Sequence, residues 1–333
     1  MKLKILSEAG HDKGFGHFYR MSGICEQLSA RGVETTLYLD ADEEARRLLR
    51  RPYTRFLNWL DRAVLDALIE PADNVLVDSY YTDLELLTRL RDRCARLLLI
   101  DDNMRLDYRG MTLINPNYFG AYLAYPAGRG NTVYAGRDCT LLRAPFVPDG
   151  EHALREEVRR VLVTFGGTDV CGWTDRVVRI LHELAPGVAL DVAATPAFHN
   201  LDLVRRALGE NDRLHLNADA EEMSRLMWRA DFAVASAGGT SNELIKMQCP
   251  AVLTPAADNQ LLNIRLLAER GIIRTFTAAD TSAVAAMFRL PVRRQLHRRL
   301  LSLASERSGI DLVYAQLRER PEKGEERNEG DRE

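Results

Sequence analysis

The chain predicts an α/β protein built from two Rossmann-like domains that face each other across a cleft, and three observations lead there. Short β-type runs alternate with amphipathic stretches along nearly the whole length, the pattern of parallel sheets covered on both faces by helices. The alternation occurs twice, with a proline- and glycine-bearing stretch between the two series. Glycine-rich turns follow several of the strands, and the carboxyl ends of strands are where open α/β sheets bind ligands.

In chain order, residues 2–7 read as a buried strand and residues 18–30 as the helix that follows it. Residues 34–39, 74–77, 96–100 and 111–114 are the further strands expected in the first half. Residues 160–165, 188–194, 213–216, 231–235 and 251–254 repeat the pattern, with helices such as 174–184 and 261–270 between them. Residues 142–153 carry Pro145, Pro148 and Gly150 and read as an inter-domain linker. The expected division is a first domain over residues 1–145, a second over 154–318, and a charged tail over 319–333 too polar to form a core.

Composition narrows the class. A length of 333 residues, 46% of them apolar, is enough for two cores, and a formal net charge of −3 argues against a nucleic-acid coat. The five cysteines (Cys25, Cys94, Cys139, Cys171, Cys249) are scattered singly with no Cys-x-x-Cys pair, as free thiols in a reducing compartment would be. No run approaches the ~18 apolar residues of a membrane span, and the N-terminal apolar run is too short for a signal peptide. The expectation is a soluble, cytoplasmic protein with no membrane or nucleic-acid partner.

The first glycine loop, Gly14-Phe15-Gly16-His17-Phe18-Tyr19-Arg20, follows the first strand. Gly14 and Gly16 permit a sharp turn and close approach to a ligand. His17 and Arg20, three apart, share one face of the helix's first turn. A helix amino end opposes protonation of a nearby imidazole by ~0.3–1 kcal/mol, so His17 is expected neutral and is a candidate general base. A backbone-bonded helix-start histidine is about as common, and Arg20 as a solvated helix face is the plain alternative. The run is not a full dinucleotide fingerprint, because Tyr19 occupies the third glycine's place. His11 lies mid-loop with no positional reason for reactivity.

Three turns in the second half belong together: Gly166-Gly167-Thr168-Asp169, Gly238-Gly239-Thr240-Ser241-Asn242-Glu243, and Asn259-Gln260. Each follows a strand and is expected to open a helix. Gly-Gly-Thr at a helix start directs free backbone N–H groups outward, an anion site suited to a diphosphate. Glu243 would reach past the phosphates to both hydroxyls of a ribose, and Asn259 and Gln260 would offer amides to phosphate or sugar. Taken singly, each is ordinary capping chemistry, with Glu243 a capping-box partner of Thr240; the repetition within one half-chain favours a shared ligand. Tyr80 follows a strand and could reach the same sugar. Asp101 and Asp102 end another; no histidine or second acidic cluster completes a metal site beside them, so loop capping is the favoured reading.

Seven runs occur in order: 14–20 around His17, Asp78-Ser79-Tyr80, Ile100-Asp101-Asp102, Leu141 to Phe146, Phe165 to Asp169, Ser236 to Glu243, and Asn259-Gln260. Together they resemble the nucleotide-sugar hydrolases of the pseudaminic acid pathway, including spore-coat polysaccharide proteins, over residues 2 to 290. More distantly they resemble MurG-type glycosyltransferases. The resemblance implies a GT-B fold with UDP held mainly by the C-terminal domain. It also implies hydrolysis of UDP-2,4-diacetamido-2,4,6-trideoxy-β-L-altropyranose to UDP and free sugar, without metal or cofactor. His17 would then activate water, Tyr80 would position sugar or water, Glu243 would bind the ribose and Asn259 the nucleotide. The chain departs from the pattern in a longer first loop around 10–13, in Met21 where cysteine or serine is common, and in its Gly-Gly-Thr-Ser-Asn-Glu run. The rival enzyme is a GT-B glycosyltransferase with a UDP-amino sugar donor; a non-catalytic nucleotide-sugar binding module is the rival of another class.

Overall fold

The computed structural model describes residues 1–10 and 13–319. Seven strands form the first sheet: β1 (Lys2–Ala9), β2 (Glu34–Ala41), β3 (Thr54–Phe56), β4 (Asn74–Asp78), β5 (Arg96–Ile100), β6 (Thr112–Asn115) and β7 (Thr132–Ala135), in the order β3-β2-β1-β4-β5-β6-β7. Six form the second: β8 (Arg160–Thr164), β9 (Ala189–Ala194), β10 (Arg213–Leu216), β11 (Phe232–Ser236), β12 (Ala251–Thr254) and β13 (Arg274–Thr275), in the order β10-β9-β8-β11-β12-β13. Every pairing in both sheets is parallel.

Parallel strands need crossover helices, and helices on both faces bury both sides of each strand. β1 shows the result. Leu3 and Ile5 pack with Met21, Ile24 and Leu28 of the helix Gly16–Ser29, while Leu6 turns the other way to Trp59, Leu86 and Leu90. Trp59 is fully buried, and its indole N–H donates to the Ser7 carbonyl at 2.7 Å, which satisfies the ring's polar edge.

In each sheet the chain order reverses beside the first strand, between β1 and β4 and between β8 and β11. Helices leaving opposite faces there open a crevice at the strands' carboxyl ends. Ser7 of β1 lies level with Asp78 of β4, and Thr164 of β8 with Ala235 of β11. The loops that begin just beyond these positions therefore converge on the two crevices.

Three edge strands, β3, β7 and β13, have no counterpart in the sequence reading. They are two to four residues long, too short to show a period. The last helix, Gly309–Arg318, falls inside the stretch assigned by sequence to the second domain, yet its Ile310, Val313 and Leu317 complete the core of the first sheet. Its start is pinned because a Cβ on Gly309 would lie 2.3 Å from the Cys139 carbonyl oxygen. Among the described residues no helix is long and apolar enough to cross a membrane, and the five cysteines are free thiols. Of the expected charged tail, residues 320–333 lie outside the described residues, as do His11 and Asp12 in the lengthened first loop.

Candidate functional site

The crevice of the first sheet holds a closed set of charged side chains. Gly14 takes φ +69°, and its carbonyl accepts from the Gly10 N–H across the turn; the helix begins at Gly16, two residues earlier than the sequence pattern predicts. His17 therefore sits in the first turn, facing the end of β4. Its Nδ1 lies 2.8 Å from Asp78 Oδ1, and its ring meets Tyr80 edge-on with centroids 4.6 Å apart. Nδ1–H donating to Asp78 leaves Nε2 as the ring's basic atom, with no hydrogen bond to any described residue.

Arg20 divides its guanidinium between two carboxylates. Nε and Nη2 donate to Asp78 at 3.0 and 2.6 Å, while Nη1 and Nη2 donate to Asp102 at 2.9 and 3.1 Å. Asp102 also accepts from the Tyr80 hydroxyl at 2.7 Å and from Asn117 Nδ2 at 2.8 Å. Below them Glu8, at the end of β1, accepts from the Tyr80 N–H at 2.9 Å and from the Ser79 hydroxyl. Burial pushes the Glu8 carboxyl above its ordinary value.

These contacts reverse one electrostatic expectation. Burial disfavours a charged His17, but the Asp78 charge and hydrogen bond outweigh it, so the imidazole titrates above the ordinary histidine value rather than below it. The helix end is the weaker influence because Asp78 is in direct contact. Burial likewise opposes ionisation of Asp78 and Asp102, yet Arg20 holds both below the usual carboxylate range. Tyr80 is pushed up by burial and by Asp102, so it stays a protonated donor. Asp101 and Asp102 part company. Asp101 caps its loop, accepting from the Met104 and Arg105 N–H groups and from the Tyr108 and Tyr125 hydroxyls. Asp102, read as a second capping residue, instead belongs to the charged cluster. Among the described residues no group of side chains could hold a metal ion.

The second sheet's crevice is built differently. The turn Gly238–Gly239 leads into the helix Thr240–Lys246, and the N–H groups of Gly238, Gly239 and Thr240 bond to no described residue. A Cβ at Gly239 or Gly167 would meet nothing within 4 Å, so both backbones border open space. Gly166 takes φ +78° in the matching turn after β8. Thr168, however, does not open a helix: the next begins at Thr174, and Asp169 folds back to cap it, accepting from the Trp173 and Thr174 N–H groups at 2.8 and 2.9 Å. Asn259 is exposed. Gln260 ties its Oε1 to the Ala256 N–H at 2.9 Å, with Nε2 beside Gly238.

Glu243 is not a capping partner of Thr240, since that helix has no side-chain cap; it accepts from Arg143 at 2.8 Å. Burial raises its carboxyl against the pull of Arg143. Arg143 comes from the linker and packs beneath Gly23 of the helix Gly16–Ser29. The two crevices touch through Asn242, whose Nδ2 donates to Asn117 Oδ1 at 2.8 Å. Asp78, Asn117, Asn242 and Arg143 were not singled out by sequence reasoning. Asp78, Arg143 and Asn242 stand inside the seven runs, but nothing in spacing reveals which carboxylate meets His17.

Among the described residues, thirteen parallel strands lie in two sheets with facing crevices, and the arrangement matches known structures over nearly their whole length. MurG of Acinetobacter baumannii superimposes with a TM-score of 0.63 over 95% of this chain and 99% of that one, at 16% identity. A Phytolacca americana glycosyltransferase, UGT2, complexed with UDP-2-fluoro-glucose gives a TM-score of 0.65 over 95% and 99%, at 12% identity. The fold is GT-B. No family model matches the chain. In sequence, the GT-B chain is homologous to the spore coat polysaccharide biosynthesis protein SpsG of Bacillus subtilis, 22% identical over 90% of this chain and 92% of that protein. It is also homologous to the Helicobacter pylori pseudaminic acid cytidylyltransferase and UDP-2,4-diacetamido-2,4,6-trideoxy-β-L-altropyranose hydrolase. There it is 24% identical over 82% of this chain but spans only 48% of that protein.

Proposed function

We propose that this protein is a nucleotide-sugar hydrolase that cleaves a UDP-linked diacetamido-trideoxy sugar to UDP and the free sugar. The observation that carries the reading is the His17–Asp78 pair, with Nε2 of the ring free of any described partner, set in one crevice beside a second crevice whose amide N–H groups have no acceptor among the described residues. The hydrolase activity named for the Helicobacter relative supports the substrate class.

Each residue then has a defined task. The Gly238–Gly239–Thr240 turn donates backbone hydrogen bonds to the diphosphate, with Gly166, Gly167 and Thr168 closing the other side. Asn259 and Gln260 add amide contacts to the nucleotide, and Glu243, steadied by Arg143, takes the ribose hydroxyls. In the opposite crevice Nε2 of His17 accepts a proton from water as the water oxygen bonds to the anomeric carbon. The bond from that carbon to the β-phosphate oxygen breaks, and its electron pair leaves with UDP. Asp78 stabilises the imidazolium formed at that moment, as the carboxylate of a catalytic triad does. Tyr80, held protonated, donates to the sugar or the water. The diphosphate is a good leaving group once its charge is spread over amides, so no separate acid is required on that side.

The same pair would activate an acceptor hydroxyl as readily as water, which makes a GT-B glycosyltransferase the second reading. Incubation with UDP-amino sugars alone separates the two. The hydrolase releases UDP without an acceptor, and in ¹⁸O-water NMR finds the label on the anomeric carbon of the free sugar. A transferase is silent until an acceptor is added. His17→Ala is expected to lower kcat by ~10²–10⁴-fold while UDP affinity, measured by calorimetry, is unchanged. An undiminished kcat would remove His17 from the chemistry.

A further inference from the structure

A buried chain of amides joins the two crevices. Asp102 is fixed by donors on every side: Arg20, the Tyr80 hydroxyl and Asn117 Nδ2. The negative charge of Asp102 dictates which way the Asn117 amide points. Its NH₂ must face the carboxylate, so its Oδ1 faces away and needs a donor of its own. That donor comes from the other sheet's domain, from Asn242 Nδ2 at 2.8 Å. Asn242 lies in the first turn of the helix Thr240–Lys246, two residues beyond the Gly238–Thr240 amides that have no partner among the described residues, and its own Oδ1 accepts from the Tyr118 N–H at 3.4 Å. Asn117 is 9% exposed and Asn242 7%. Around them the junction is apolar, with Tyr118, Phe119 and Phe146 sharing a cluster with Leu244 and Ile245. A polar pair in such surroundings is costly unless every group is satisfied, and here the satisfied chain runs from the turn at Gly238–Thr240 to the cluster around His17.

We propose that Asn117 and Asn242 are positioning residues that set the His17–Asp78 pair from across the domain junction. The inference deepens the reading of His17 as the base and rests on it for its catalytic consequence, but not for its structural one. Arg20 is shared between Asp78 and Asp102. Asn117 Nδ2 also donates to Asn115 Oδ1 at 3.2 Å; when Asn242 no longer donates, Asn117 Oδ1 is left buried without its donor, the amide shifts from this position to recover one, and Asp102 loses a directed donor. Arg20 is then drawn toward Asp102 and away from Asp78. Asp78 weighs more heavily on the imidazole, so His17 titrates higher and is less often the free base. The turn that would grip the diphosphate is untouched, so nucleotide affinity stays as it was.

The test follows the His17 ring directly, by NMR titration of the full chain, with its signal assigned by its loss in His17→Ala. In Asn242→Ala the His17 midpoint is expected to rise by about half a pH unit, with kcat below the midpoint lowered about threefold and KM unchanged. Asn117→Ser, which removes the other member, should move the midpoint the same way and reads the same link if Asn242→Ala folds poorly. Asn242→Asp, nearly isosteric but unable to donate to Asn117, should shift it further. A midpoint unmoved in folded Asn242→Ala and Asn117→Ser overturns the proposal, even if the wild type hydrolyses UDP-sugars. A midpoint that moves in an enzyme with no hydrolytic turnover overturns the hydrolase reading and leaves the positioning link standing.

Discussion

The two crevices of this molecule sit at equivalent places in their sheets yet are finished in opposite ways. The first is closed by its own side chains: His17, Arg20, Asp78, Tyr80 and Asp102 satisfy one another almost completely. The second is left open, its glycine turns presenting N–H groups with no partner among the described residues and bare space where side chains would stand. A site that must hold a base at a fixed angle benefits from being organised before substrate arrives, because nothing need reorganise during reaction. A site that must grip an anion needs donors that are unspent until the ligand comes. Under the proposed function the contrast separates chemistry from binding, and each substitution below should disturb one and spare the other.

The largest effect should come from Arg20→Ala. It leaves Asp78 and Asp102 buried without the cation that keeps both ionised. Breaking a buried ion pair by removing one partner costs about 3–5 kcal/mol, so denaturant unfolding should register a loss of that order together with loss of turnover. An Arg20→Ala chain as stable as wild type would mean that the closed crevice is not held by this cation.

Asp78→Asn asks less of the fold and more of the chemistry. An asparagine can still accept from His17 Nδ1–H, but the charge that raises the imidazole is gone. Wild-type kcat/KM should fall on the acid side through a midpoint above the ordinary histidine value, since His17 must be neutral to accept a proton. In Asp78→Asn that limb should move to lower pH, with kcat reduced because nothing offsets the imidazolium. Linkage gives stability the opposite trend with pH. A histidine whose folded-state value is raised favours the folded chain below its unfolded value, and that contribution fades as pH rises through the raised one. An acid limb that stays in place would place the pH dependence on another group.

Much of this arrangement is legible from the chain alone. Ten of the strands announce themselves as apolar runs because parallel strands are buried on both faces; the runs at Leu97–Ile100 and Phe232–Ala235 leave no other reading. The glycine turns are legible for the same local reason, since backbone at φ +69° or +78° calls for glycine at Gly14 and Gly166. What stays hidden is pairing across the fold. Asp78 and Asp102 are 61 and 85 residues from His17, and only strand order brings them to it, so nothing in their neighbourhoods separates Asp102 from the loop-capping Asp101. The elevated His17 value was hidden for that reason, because a helix end is visible in the sequence and a facing carboxylate is not. The return of Gly309–Arg318 to the first sheet is equally non-local.

Gly239→Ala is the gentlest change and the sharpest test of the open crevice. Gly239 has φ −53°, an ordinary helical value, and a Cβ there meets nothing within 4 Å. The fold therefore has no reason to object, and alanine in place of glycine at such a site shifts stability by less than about 1 kcal/mol in either direction. The added methyl stands in the space a diphosphate would fill and pushes it off the N–H groups of Gly238, Gly239 and Thr240. UDP affinity by calorimetry should fall about tenfold, the equivalent of ~1.4 kcal/mol, with Tm and the His17 titration unchanged. Loss of affinity without loss of stability is what an unspent set of donors predicts. Unaltered UDP binding in Gly239→Ala would move the anion away from this turn and leave the second crevice without its assigned ligand.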